Sequence, residues 1–242
     1  MLPVALTHTF CCPWLKPREL LAGCRAALWV FHVDDIVEKG PLDVPRLLDI
    51  AAGAAPDPGT PTEVVLSELR DELAGQPLFD AMGDLWRDTL NGLLTGLMWE
   101  RNTALALAAG TPEPSVAEYL KYAVTIGSAF TRSSIWLASE TTDLLPQLKV
   151  LTAGLYEAVV AVRLANDLVT YKRELTEPAS LNILMLQDID EPWVHREIQR
   201  RRAWCAEILA PVIQENNAAA GVLRLIDYAT TFYLNTDYRP SE

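Results

Sequence analysis

The residues of this chain best suited to chemistry are oxygen donors at helical spacings. From Asn166 to Glu174 the sequence reads NDLVTYKRE, so an amide, a hydroxyl and a carboxylate recur every four positions. Residues four apart lie one turn above another on a helix, which makes Asn166, Thr170 and Glu174 a single stripe of oxygen atoms. Such a stripe can grip one hard divalent cation. Mg²⁺ prefers oxygen ligands, keeps several waters and accepts phosphate oxygens in the rest of its shell. The alternative is a solvated face on which Asp167, Lys172, Arg173 and Glu174 serve only solubility. A second acidic group stands in WVFHVDDIVEKG, where Asp34 and Glu38 are again four apart with Asp35 adjacent. These carboxylates fall at the carboxyl end of a mostly apolar helix, an end that favours cations. Lys39 alone does not offset them, whereas a bound divalent ion would. A solvated acidic helix end is the other reading.

Both groups need rigid elements to hold them, and the chain supplies helices. Helical periodicity runs through the sequence and no stretch alternates in the manner of a strand, which predicts an all-α fold. Asp34, Asp35 and Glu38 belong to a helix expected over 17–38, with Pro17 in its first turn and Gly40-Pro41 ending it. The second stripe belongs to a helix expected over 146–175. Further helices are expected over 42–52, 63–73, 78–109, 115–140 with a kink near Gly127, 192–215 and 218–233, and 53–61 reads as a loop. The first 16 residues, with their Pro and Cys, read as loosely ordered. At 242 residues and 50% hydrophobic, the chain can bury its core as one domain over 1–242.

Composition removes several classes of function. A formal charge of -12 repels nucleic acid and anionic lipid. Cys11, Cys12, Cys24 and Cys205 lack CxxC spacing and read as reduced thiols of a cytoplasmic protein. No apolar run approaches the roughly 18 residues that span a bilayer, and the N-terminus lacks the basic flank and long apolar core of a secretory signal. GxGxxG, P-loop and GxSxG motifs are absent, so dinucleotide and serine-hydrolase chemistry lack support. His32 points to a different helix face from Asp34, and His8 and His195 have no sequence neighbours that suggest catalysis.

Taken together, these residues resemble a known family. Asp34-Asp35-Ile36-Val37-Glu38 resembles the aspartate-rich motif of class I terpene synthases, and Asn166, Thr170 and Glu174 match the family's second metal motif in residue type and spacing. Trp99-Glu100, Pro114 and Glu118-Tyr119-Leu120 resemble its middle helices. Asn182 follows the second motif where such enzymes often carry Asn, and RLANDL over 163–168 is closest to the bacterial diterpene synthases. The resemblance covers roughly 20–238.

That resemblance implies an antiparallel helical bundle of the isoprenoid synthase type with a shortened N-terminus. It implies a Mg²⁺-dependent lyase of secondary metabolism that ionises a prenyl diphosphate, C20 ahead of C15, linear or bicyclic, and directs the carbocation to a hydrocarbon or alcohol. Three Mg²⁺ ions are implied, two beside Asp34, Asp35 and Glu38 and one on Asn166, Thr170 and Glu174. Asp34 would bridge ions, Asp35 would bind an ion or instead orient basic side chains, Glu38 would bind an ion or only support the groups that do, and Arg173, with Lys172 beside it, would reach the diphosphate. Phe31, one turn before Asp34, would face the pocket and stabilise the cation, with Val159 and Val162 lining it above Asn166. Trp29, Trp99 and Trp136 read as packing.

The sequence departs from the family at two places. The stretch 121–127 lacks an expected Arg, leaving Lys121 or Arg132 to replace it, and the family's C-terminal Arg-Tyr pair is replaced by Asp237-Tyr238-Arg239, with Tyr238 and Arg239 as substitutes. A chain-elongating prenyltransferase would need a second aspartate-rich motif, which NDLVTYKRE is not. The remaining alternative is a non-catalytic or partner-dependent prenyl-diphosphate-binding protein of the same fold. A homodimer is a further expectation, since small members of the family often pair.

Overall fold

The computed structural model describes residues 2–122, 127–139, 142–234, 236 and 238, and among them all regular structure is helical. In chain order the helices are α1 Leu2–Cys11, α2 Pro17–Lys39, α3 Val44–Ala52, α4 Pro61–Ala74, α5 Phe79–Ala108, α6 Val116–Tyr122, α7 Ser128–Ala138, α8 Leu148–Glu174, α9 Glu191–Leu209 and α10 Asn217–Tyr233. Short 3₁₀ turns at Thr142–Gln147 and Ile183–Met185 flank α8.

Local chemistry fixes the ends of the elements that matter. Pro17 occupies the first turn of α2, and the Glu19 carboxylate accepts from the Lys16 backbone N–H at 2.6 Å. Asp43, Asp190 and Asn216 cap α3, α9 and α10 by accepting N–H groups of their first turns. A buried apolar side carries each helix into the bundle. α8 is the spine, packed on α9 and α10, while α2 packs on α7, and α1 lies against α2 and α10. Gly23 permits the close approach of α2 to α7, because a Cβ there would stand 2.4 Å from Ile135 Cγ1.

Four expectations are corrected. The helix expected over 115–140 is two helices, broken where Gly127 takes φ 72 and where a Cβ would meet Val30 Cγ1 at 2.6 Å. The stretch 1–16 carries α1, a helix whose Val4, Thr7, His8 and Cys11 are buried. Tertiary packing overrides the Pro and Cys pattern there. α8 begins at Leu148, because Pro146 lies within the preceding 3₁₀ turn. α9 ends at Leu209 rather than near 215, and turns follow it. All four cysteines are free thiols. No described helix is long and apolar enough to cross a membrane.

Candidate active site

The two oxygen-bearing helix edges face one cavity, of which about 110 Å³ admits the centres of water molecules. Asp34 and Glu38 enter it from α2, and Asn166, Arg173 and Glu174 from α8. Glu100 of α5 and Glu177 beyond α8 add carboxylates, so Asp34, Glu38, Glu100, Glu174 and Glu177 outnumber the guanidiniums of Arg163 and Arg173. A cleft with that imbalance favours cations.

A buried network holds the α8 wall. Arg163 donates from Nη1 and Nη2 to the two oxygens of Glu100 at 3.0 and 3.1 Å, and from Nε to Asp167 Oδ1 at 2.9 Å. Its Nη2 also donates to the Leu181 carbonyl at 2.7 Å. Tyr119 of α6 donates to Asp167 Oδ2 at 2.7 Å. Burial pushes the Asp167 carboxyl up to about 7 against the opposing pull of Arg163, so this carboxylate depends on its partners for its charge. Asn182 completes the arrangement. Its amide donates to Glu174 Oε2 at 2.8 Å and to the Asp167 carbonyl at 2.9 Å, while its Oδ1 caps Leu184 N–H at 3.0 Å. Burial raises the Glu174 carboxyl as well, with Arg163 and the Asn182 amide acting in the opposite direction. Sequence reasoning noted Glu100, Tyr119, Arg163 and Asn182 as family-like but assigned none of them a role. The i, i+4 pair Arg163 and Asp167 on an apolar helix was the one local signal of a buried ion pair.

The structure gathers most of the remaining predicted residues and separates others. Asn166 and Glu174 line the cavity, whereas Thr170 is 1% exposed and donates from Oγ1 to the Asn166 carbonyl at 3.0 Å. Asp35 is exposed and lies off the cavity, one helical step round from Asp34. Arg173 lines the cavity with its Nε 3.2 Å from Glu177 and its Nη2 3.9 Å from Glu174, but Lys172 is exposed and not among the lining residues. Lys121 sits over the Tyr122 ring in a separate surface groove, because α6 turns that face away from the cavity. Arg239 lies outside the described residues, and Tyr238 lines the cavity. His32 is exposed and bonds Thr62 Oγ1 at 3.0 Å.

Beside the acidic cavity lies an apolar chamber of about 80 Å³, and the two share Val30, Phe31, Tyr233 and Tyr238 as walls. Phe31 thus stands between carboxylates and apolar space, its ring 6.5 Å from that of Tyr238. Val162 lines the chamber. Val159 is fully buried and lines neither space, being turned into the helix packing. Tyr238 is fixed by a 2.5 Å hydrogen bond between its hydroxyl and that of Thr7, so α1 and Tyr238 meet at the chamber.

The donors fit a hard divalent ion. Among the described residues no three Asp, Glu, His or Cys side chains converge closely enough to enclose an ion by themselves. What the walls present instead is a few separated oxygens and an excess of carboxylate charge. That suits Mg²⁺, which retains water and completes its shell on an anionic ligand.

The family model described as terpene synthase family 2, C-terminal metal binding, matches residues 25–188. The chain is also 33% identical over 245 residues to the ent-pimara-9(11),15-diene synthase of Streptomyces sp. (strain KO-3988), a similarity that covers 98% of this chain and 83% of that protein.

Proposed function

This chain belongs to terpene synthase family 2, and from that membership we propose that it is a Mg²⁺-dependent class I lyase, acting as one domain, that ionises a C20 prenyl diphosphate and directs the carbocation to a diterpene hydrocarbon. The observation that supports this most is the meeting of Asp34 and Glu38 with Asn166 and Glu174 across one cavity that adjoins an apolar, aromatic-walled chamber. The preference for C20 rests on the likeness to a synthase named for ent-pimara-9(11),15-diene.

Asp34 and Glu38 would hold ions on the α2 side, and Asn166, Thr170 and Glu174 would hold one on the α8 side. When bound, Mg²⁺ supplies Lewis-acid stabilisation of the departing diphosphate. Asn182 orients the Glu174 carboxylate, and the Arg163 network fixes α8 against α5 and α6, so this wall is in place before substrate arrives. Arg173 lines the same cavity and would exchange Glu177 for a phosphate oxygen. In the chamber, Val30, Val162, Leu225 and Ala229 exclude water, while the ring of Phe31 offers a face worth about 0.5–2 kcal/mol to passing positive charge. A cytoplasmic location and a homodimer accord with this activity.

The test is incubation of purified protein with Mg²⁺ and linear C10, C15 and C20 diphosphates and a bicyclic C20 diphosphate, with diphosphate release and organic products measured. Release of diphosphate with a C20 hydrocarbon is the expected result. Binding of these compounds without release from any of them would sink the enzymatic reading and leave a non-catalytic prenyl-diphosphate-binding protein.

A further inference from the structure

The apolar chamber contains a base that the reaction described above does not use. His8, on the buried side of α1, lines the chamber together with Phe31, Val162 and Arg132, yet it is only 5% exposed. Among the described residues neither of its ring nitrogens has a hydrogen-bond partner of normal geometry, and the polar groups that act on it are the Arg132 guanidinium and the Gly23 backbone. A buried polar group left in that condition is destabilising, a cost that a leucine at this position would avoid. Arg132 of α7 is similarly unusual. It is 1% exposed, it donates from Nη1 to Cys12 Sγ at 2.8 Å, and its Nε has no partner among the described residues. Thr7, by contrast, is engaged with both Tyr238 and the Pro3 carbonyl, which anchors the turn of α1 that presents His8.

Burial and the adjacent Arg132 guanidinium lower the His8 pKa to about 4, so the imidazole is neutral at physiological pH and keeps a free electron pair. A carbocation is a far stronger acid than imidazolium, so even this weakened base can accept a proton from the carbon next to the cationic centre. We propose that His8 ends the reaction by deprotonating the final carbocation inside the chamber. The C–H bond adjacent to the cationic carbon breaks, its electron pair becomes the new C=C bond and neutralises the cation, and the proton passes to the free ring nitrogen. The imidazolium formed is repelled by Arg132 and returns its proton to water when the product leaves. A diene, as in the name of the Streptomyces relative, is the kind of product that proton loss gives and water capture does not.

This inference rests on the proposed synthase activity, and the experiment separates the two. Wild type, His8→Gln and His8→Phe are compared with Mg²⁺ and the diphosphate that wild type turns over, reading diphosphate release, product profile and melting temperature. In both variants release stays close to wild type and melting is not lowered, His8→Phe melting at or above wild type, while formation of the principal hydrocarbon falls by about a hundredfold and isomeric alkenes or alcohols replace it. With substrate deuterated at the carbon that loses the proton, wild type shifts its product ratio away from the principal hydrocarbon, and His8→Gln loses that shift. A wild-type product profile in His8→Gln overturns the assignment, as does a profile lost only in step with release and melting. Absence of release by wild type sinks the synthase reading itself, and this inference falls with it.

Discussion

The two oxygen-bearing walls of the cavity are built in opposite ways. On α8, Thr170 and Glu174 are 1% and 8% exposed, and Glu174 is held by Asn182 within a network that reaches α5 and α6. On α2, Asp34 is half-buried, Asp35 and Glu38 are exposed, and the helix end is gripped from outside by Arg101, which donates to the Val37 carbonyl at 2.9 Å. One wall is organised by protein contacts in advance. The other is more open to solvent and stands at a helix end that disfavours its own carboxylates, so bound cations would add to its stability. Ions and substrate would therefore complete the α2 side, whereas the α8 side acts as the fixed template.

The largest expected effect tests whether both walls serve one ion-bound anion. Asp34→Ala and Asn166→Ala should each lower diphosphate release by about a thousandfold or more, about 4 kcal/mol of barrier, with circular dichroism and melting close to wild type. Chelation of divalent ions should produce the same loss reversibly. Turnover surviving in either variant would separate the walls and remove the basis of the assignment.

The next effect falls on the fold and should discriminate between the walls. Arg163→Ala leaves Glu100 and Asp167 without their shared cation inside the bundle, at a cost of about 3–5 kcal/mol in denaturant unfolding. Arg101→Ala, at the half-exposed α2 end, should cost about 1 kcal/mol. Equal losses would show that the α8 network gives no special rigidity.

Asn182→Ala lies between structure and chemistry. Removing its amide deprives Glu174 of a donor, so Mg²⁺ titrations of turnover should shift by about 10- to 100-fold toward higher concentration. Stability should fall by about 1–3 kcal/mol, because the Asp167 carbonyl also loses its partner. An unshifted Mg²⁺ dependence would make Asn182 purely structural.

The difference between the walls also explains what could be read from the chain alone. The meeting of Asp34 and Glu38 with Asn166 and Glu174 at one cavity was foreshadowed because four-residue spacing on an apolar helix is a local pattern, whereas Thr170, in the same stripe, is buried off the cavity. The long helices were legible for the same reason, to within a few residues at most ends. The network was not, since Arg163 meets Glu100 across 63 positions and only folding reveals that partner. Helical direction misled the assignment of Lys121, Lys172 and Val159, where one step round a helix separates cavity from solvent or core. α1 was missed because its stability comes from α2 and α10 rather than from its own sequence. Without α1, His8 had no chamber to face.

The smallest expected effect is the sharpest on the α2 wall. Asp35 is adjacent to Asp34 in the motif, but it is exposed and turned off the cavity, so Asp35→Asn should leave stability within about 0.5 kcal/mol and turnover within about threefold. Asp34→Asn, at equal chemical change, should be far more damaging. A helix end that is already in its working position must show this contrast, because rotation by one residue moves a side chain roughly a quarter turn round the axis. If instead Asp35→Asn proves as damaging as Asp34→Asn under saturating Mg²⁺, the end of α2 must turn or unwind to bring both carboxylates inward when ions bind. The α2 wall would then be the mobile one, while the α8 wall, tied through Arg163, stays where it is.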